Sequence, residues 1–121
     1  MPTLRPVIMG MTLALIAAAP ALAHTTLVSS SPGAGGSVAT PPAYVALVFA
    51  KPIQGVRQLT VTDAAGRQYA RRPRIDKGNA RRALAGLTIT KAGRYTVKWA
   101  IVGADTHTIT GTFTFRVRAS G

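Results

Sequence analysis

In the stretch "RYTVKWAIV", Tyr95, Val97, Trp99 and Ile101 fall on one side of an extended chain, and Arg94, Thr96 and Lys98 fall on the other. Alternation of this kind belongs to a strand with one face buried, because successive side chains of an extended backbone point in opposite directions. "GTFTFRVR" repeats the pattern, with Phe113, Phe115 and Val117 inward and Thr114, Arg116 and Arg118 outward. "YVALVFA" offers Val45, Leu47 and Phe49, and "RQLTVTD" offers Leu59 and Val61. "TTLVSS" reads as a short opening strand, and "RRALAGLTIT" as a weaker one in which Gly86 marks a bulge. No segment beyond residue 24 sustains a helical period. Turn signals punctuate the runs: "SPGAGGS" and "TPP" early on, "DAAGR" as a hairpin connection, and "KAGR" leading into the Tyr95 strand. The fold expected is all-β, an immunoglobulin-like Greek-key sandwich or barrel of about seven strands. Trp99 and the inward phenylalanines are assigned to its core.

The N-terminus has a different character. "MPTLRPVIMGMTLALIAAAPALA" carries Arg5, then an apolar run from Val7 to Ala19, then the small residues "ALA". That is the three-part pattern of a cleavable secretory signal peptide, and the run is shorter than the roughly 20 residues of a membrane span. Residues 1–23 are therefore expected to be removed, leaving a single domain of residues 24–121, long enough to bury one core. The chain has no cysteine. The fold must then be held by packing alone, and any metal site must use nitrogen and oxygen ligands. Export without disulfides points to a bacterial periplasm.

Fifteen Lys and Arg against three acidic residues give a formal charge of +12. The basic residues are spread along the chain, with one denser stretch, "ARRPRIDKGNARR", that includes Arg71 to Arg82. They lack the interleaved aromatics of a base-stacking surface, so nucleic acid is not an expected partner. The stretch reads as a solvated face, with a metal-free, polyanion-binding sandwich as the alternative.

Against that background, Asp105 and His107 in "GADTHTITG" stand out, since the chain has only two histidines. The other is His24. Cleavage after Ala23 would make His24 the first residue, where its α-amine and imidazole Nδ1 can close a chelate ring on one metal ion. Asp105 and His107 lie at i and i+2, a spacing that puts both side chains on one face of an extended segment. If the two ends meet, an amine, two imidazoles and a carboxylate form a tetragonal, nitrogen-rich set that suits Cu(II). Zn(II) would draw such a set toward a tetrahedron. From the residues alone, a copper site and a turn-capping Asp beside a surface His remain open alternatives.

The segments "AHTTLVSSSPGAGGSV", "PPAYVALVFAKPI", "LTVTDAAGR" and "AGRYTVKWAIVGADTHTITGTFTFRV" together resemble the CopC family of periplasmic copper-binding proteins over essentially the whole mature length. The resemblance implies a Greek-key β-domain that binds one Cu(II) per chain through His24, Asp105 and His107. It also implies a role in copper sequestration, resistance or delivery to an inner-membrane copper transport protein of CopD type. Three departures bear on the site. Thr26 stands where relatives often have a second histidine, and Lys51 where many have Glu. The only methionines, Met1, Met9 and Met11, lie in the signal peptide, which points to a Cu(II)-only type because Cu(I) prefers thioether ligands.

No nucleophile–base pair is visible, so a monomeric binding protein is expected rather than an enzyme. The competing reading is a copper-dependent oxidative enzyme of histidine-brace type. With three Phe, three Tyr and one Trp, most of them inward, the chain has few aromatics left for a flat substrate face.

Overall fold

A computed structural model describes residues 26–120. The expected signal peptide and His24 lie outside the described residues. The strands are β1 (Leu27–Ser31), β2 (Ser37–Val38), β3 (Tyr44–Phe49), β4 (Ile53–Thr62), β5 (Ala70–Asp76), β6 (Asn79–Leu87), β7 (Gly93–Gly103) and β8 (Thr108–Val117). They form two four-stranded sheets, in the orders β1-β3-β6-β5 and β2-β8-β7-β4. Every connection except β5–β6 and β7–β8 passes between sheets, which gives a sandwich of the expected class. Two strands join the six runs seen in the sequence: β2, where the Gly-rich turn segment ends in two residues that pair in parallel with β8, and β5, within the basic stretch.

Alternation decides which side chains meet between the sheets. Val45, Leu47 and Phe49 from β3 face Leu59 and Val61 from β4 and Tyr95, Val97, Trp99 and Ile101 from β7, all nearly or completely buried. β6 contributes only Ala83 and Ala85 at its buried positions, small residues that leave room for the aromatic layer. Burying each large apolar side chain is worth about 1.5–3 kcal/mol.

Two sequence expectations change in detail. "DAAGR" does reverse the chain, closing with an isolated antiparallel bridge between Thr62 and Gln68. The hairpin is confined to this tip, with Asp63 N bonded to Arg67 O and Tyr69 N to Val61 O, and beyond it β4 and β5 part into different sheets. The bulge expected at Gly86 sits on the partner strand. Arg71 pairs with Gly86 and Arg74 with Leu84, so Arg72 and Pro73 together oppose Ala85. β5 is the edge strand of its sheet, where a proline removes no inner ladder bond.

The β4–β5 crossover is fastened to the core by Asp63. Its Oδ1 accepts hydrogen bonds from Ala65 N and Arg67 N, both at 2.9 Å, and its Oδ2 accepts one from the Tyr69 hydroxyl at 2.8 Å. Tyr69 meets Tyr95 edge-on at 5.6 Å, and Tyr95 stacks on Phe115 at the same separation. Hydrogen bonds from the Arg67 amide and the Tyr69 hydroxyl hold the Asp63 carboxyl below its ordinary value of 3.8. The bond to Asp63 pushes the Tyr69 hydroxyl above 10.0, and burial does the same to Tyr95. A lowered carboxyl stabilises the fold above its unfolded value and loses that contribution as pH falls through the folded one; a raised phenol contributes below its unfolded value and loses it as pH rises. Asp63→Ala should therefore lower the midpoint of thermal unfolding at neutral pH. The difference from wild type should shrink in melts recorded below pH 3.8.

Candidate metal centre

Strand direction decides which loops share an end of the sandwich. Leu27 at the start of β1 pairs with Phe49 at the end of β3, and Ile53 at the start of β4 pairs with Gly103 at the end of β7. Asp76 and Asn79 close the β5–β6 turn at the same end, since Arg82 pairs with Val48. Thr26, just ahead of β1, lies there too, its carbonyl accepting a hydrogen bond from Ala50 N at 2.8 Å. Thr26 ahead of β1, the β3–β4 loop carrying Lys51, the β5–β6 turn and the β7–β8 loop carrying Asp105 and His107 thus share one end. Gln54 Nε2 donates to Ala104 O at 3.2 Å, tying the start of β4 to the β7–β8 loop. Nothing in the sequence marks Gln54 for that role.

The β7–β8 loop is a tight reversal closed by Gly103 N to His107 O at 2.9 Å and Thr106 N to Gly103 O at 3.0 Å. Thr106 takes a φ of 71°, in the left-handed region. The segment is therefore not extended, and the reasoning from i, i+2 spacing in an extended chain does not apply. Asp105 and His107 meet for a different reason. Asp105 Oδ1 accepts the His107 backbone N–H at 3.1 Å, an Asx-type turn, and Oδ2 lies 3.0 Å from His107 Nδ1. The turn-capping Asp set out above as the alternative to a copper site is present, and the same carboxylate also grips the ring.

The two functions are separable by atom. With Nδ1–H donating to Asp105, the ring's lone pair sits on Nε2, the nitrogen that would bind a metal. A carboxylate behind a ligating imidazole fixes its orientation. The His107 side chain is 69% exposed and that of Asp105 is 30% exposed, so an ion reaches the ring from solvent without any opening of the fold. An exposed pair of this kind contributes little to stability.

The other carboxylates are committed elsewhere, Asp63 to its turn and Asp76 to Arg82 Nη1 at 3.3 Å and Gly78 N at 3.0 Å. Among the described residues, no group of three or more His, Cys, Asp or Glu gathers. Asp105 and His107 alone do not make a metal site, and one built on them would need donors from outside the described residues.

Comparison with known proteins bears on the same residues. The CopC domain matches residues 27–118. No curated protein sequence matches the chain. The crystal structure of CopC from Methylosinus trichosporium OB3b superimposes with a TM-score of 0.67 at 25% identity, covering 78% of this chain and 93% of that one. That of PcoC, a methionine-rich copper resistance protein from Escherichia coli, gives 0.67 at 27%, covering 78% and 99%. The selenomethionine form of PcoC gives 0.61 at 28%, covering 77% and 99%.

Proposed function

Because the chain belongs to the CopC family, and shares the fold of a copper resistance protein, we propose that it is an exported protein that binds one Cu(II). It sequesters the ion or hands it to a membrane transport partner. On this reading residues 1–23 are a cleaved signal peptide, residues 24–121 are the working domain, and the location is periplasmic. The ligands are the His24 α-amine and imidazole and the His107 imidazole through Nε2. Asp105 sets a negative charge beside the ion and holds His107 in place.

The observation that carries the proposal is the sharing of one end of the sandwich by the start of β1 and the Asp105–His107 loop. His24 is two residues from Thr26, a reach of at most about 7 Å of chain. Three nitrogens with an adjacent carboxylate suit the tetragonal preference of Cu(II). The described residues hold no methionine or cysteine, so a soft Cu(I) site has no ligands among them. Lys51 stands in the β3–β4 loop at this end, and its charge opposes that of the ion there. Thr26 offers no imidazole. The domain is proposed to hold its cargo rather than turn over a substrate.

The test compares protein beginning at His24 with protein carrying one additional N-terminal glycine. The first is expected to bind one equivalent of Cu(II) with a tetragonal, nitrogen-rich EPR spectrum. The extension replaces the amine by a peptide nitrogen and should weaken binding and change the spectrum. Equal affinity and identical spectra would remove the terminal amine from the site.

A further inference from the structure

The β5 bulge does more than interrupt a ladder. Ala70 faces the core at 8% exposure, and regular alternation from it would send Arg72 and Arg74 inward and Ile75 outward. The extra residue at Arg72–Pro73 resets the phase. Arg74 then pairs with Leu84 on the outer face, and Ile75 packs against the core opposite Ala83. As a result Arg71, Arg72 and Arg74 all line one open cleft of about 510 Å³ on the outer face of the β1-β3-β6-β5 sheet, with Tyr44 and Leu84 as its other walls.

Two features of that cleft are unfavourable for an empty surface. Arg72 sits at a φ of 53°, a left-handed conformation that a non-glycine residue holds only at a cost in backbone free energy. Three guanidinium groups are also gathered within four residues, and among the described residues no carboxylate is recorded against them. The chain's only acidic side chains are Asp63, Asp76 and Asp105, and each is engaged elsewhere, with Tyr69, Arg82 and His107 respectively. Arg74 is already fixed in place, its Nη1 donating to Arg72 O at 2.8 Å. Tyr44 is 48% exposed, and Arg82, whose charge is paired with Asp76, lies over its ring at 5.9 Å. The cleft therefore sets three fork-shaped donors, Arg74 oriented by the Arg72 carbonyl, beside an aromatic wall.

We propose that this cleft binds a phosphate group, gripped by Arg71, Arg72 and Arg74 beside Tyr44. Planar guanidinium groups match phosphate oxygens in pairs, each bond assisted by charge. The space beside Tyr44 and Leu84 accommodates an organic substituent, so the group is carried either by a soluble phosphate compound or by a phospholipid headgroup. This site is on the face of a sheet, apart from the loops of the copper centre, and does not depend on copper binding.

The experiment titrates isotope-labelled protein with inorganic pyrophosphate, and separately with vesicles containing phosphatidylglycerol or phosphatidylcholine alone, while amide NMR signals are followed. Saturable shifts at the amides of Arg71, Arg72, Arg74 and Tyr44 are expected. A response to pyrophosphate identifies a soluble ligand, and one seen only with phosphatidylglycerol vesicles identifies a lipid. Losing two charge-assisted contacts in an Arg71→Gln/Arg74→Gln variant should weaken binding at least about tenfold. Arg94→Gln/Arg116→Gln removes the same charge from the other sheet and should weaken it by less than about twofold. Equal losses in the two variants would reduce the effect to net charge and overturn the site, as would the absence of saturable shifts with every probe.

Discussion

Gly111→Ala should destabilise the domain by about 3 kcal/mol or more, the upper end of what overpacking a core produces. Gly111 pairs directly with Trp99 across β7 and β8, and both positions face the interior. A Cβ built on Gly111 would lie 2.8 Å from Trp99 Nε1 and 2.5 Å from Cε2, and closer still to Cζ2. The indole covers the glycine, so the added methyl has nowhere to go unless the ring moves. Trp99 also meets Phe49 edge-on at 5.1 Å, and Phe49 is itself 1% exposed, so the ring moves only at the expense of that packing. For a domain of this size the loss corresponds to a fall of roughly 12 °C or more in the unfolding midpoint. Trp99 is the only tryptophan, so its fluorescence reports the transition at the site of the change. Gly55→Ala is the matching control: its added Cβ would meet only Val102 Cγ2 at 3.9 Å, an ordinary contact, and the midpoint should hardly change. A midpoint for Gly111→Ala within 2 or 3 °C of wild type, on the same scale of about 4–8 °C per kcal/mol, would mean that the indole is free to turn away.

That glycine illustrates the limit of reading the sequence by period. The alternation around Tyr95 to Ile101 and Phe113 to Val117 identified the buried face correctly, because each inward residue there is apolar whatever it touches. The need for glycine at 111 depends on what stands opposite, and register across strands is a long-range fact that alternation within one strand does not carry. The β5 strand failed for a related reason. "ARRPRID" has no apolar alternation to display its phase, and the bulge that rescues Ile75 for the core is set by pairing with β6. Its arginines read as a solvated run, and only the pairing reveals that three of them face one cleft. Asp105 and His107 were legible as a pair from their rarity. They meet through a left-handed Thr106 and an Asx-type turn, not through the extended segment that i, i+2 spacing presupposes. The role of His24 came from the signal-peptide pattern, and it stands as a proposal on the position of β1.

The Asp105–His107 geometry yields the sharpest test of that proposal, because the two oxygens of Asp105 serve different partners. Oδ1 accepts from the His107 backbone and shapes the turn, while Oδ2 accepts from the ring at Nδ1. Asparagine keeps a carbonyl oxygen for the first and presents an NH₂, which cannot accept from Nδ1–H, to the second. Asp105→Asn should leave the loop and the unfolding midpoint intact while weakening Cu(II) by about 10–100-fold, the usual effect of losing a partner behind a ligating imidazole. Asp105→Ala removes the turn cap as well and should weaken binding further. His107→Ala deletes a nitrogen ligand outright and should exceed the loss for Asp105→Asn, by more than about 100-fold, with one nitrogen fewer in the EPR hyperfine pattern. Competition against a chelator of known affinity, at fixed pH because ligand deprotonation makes affinity pH-dependent, ranks the three variants. Should Asp105→Asn bind as tightly as wild type, Asp105 serves the turn alone; should His107→Ala do so, the copper lies elsewhere on the chain.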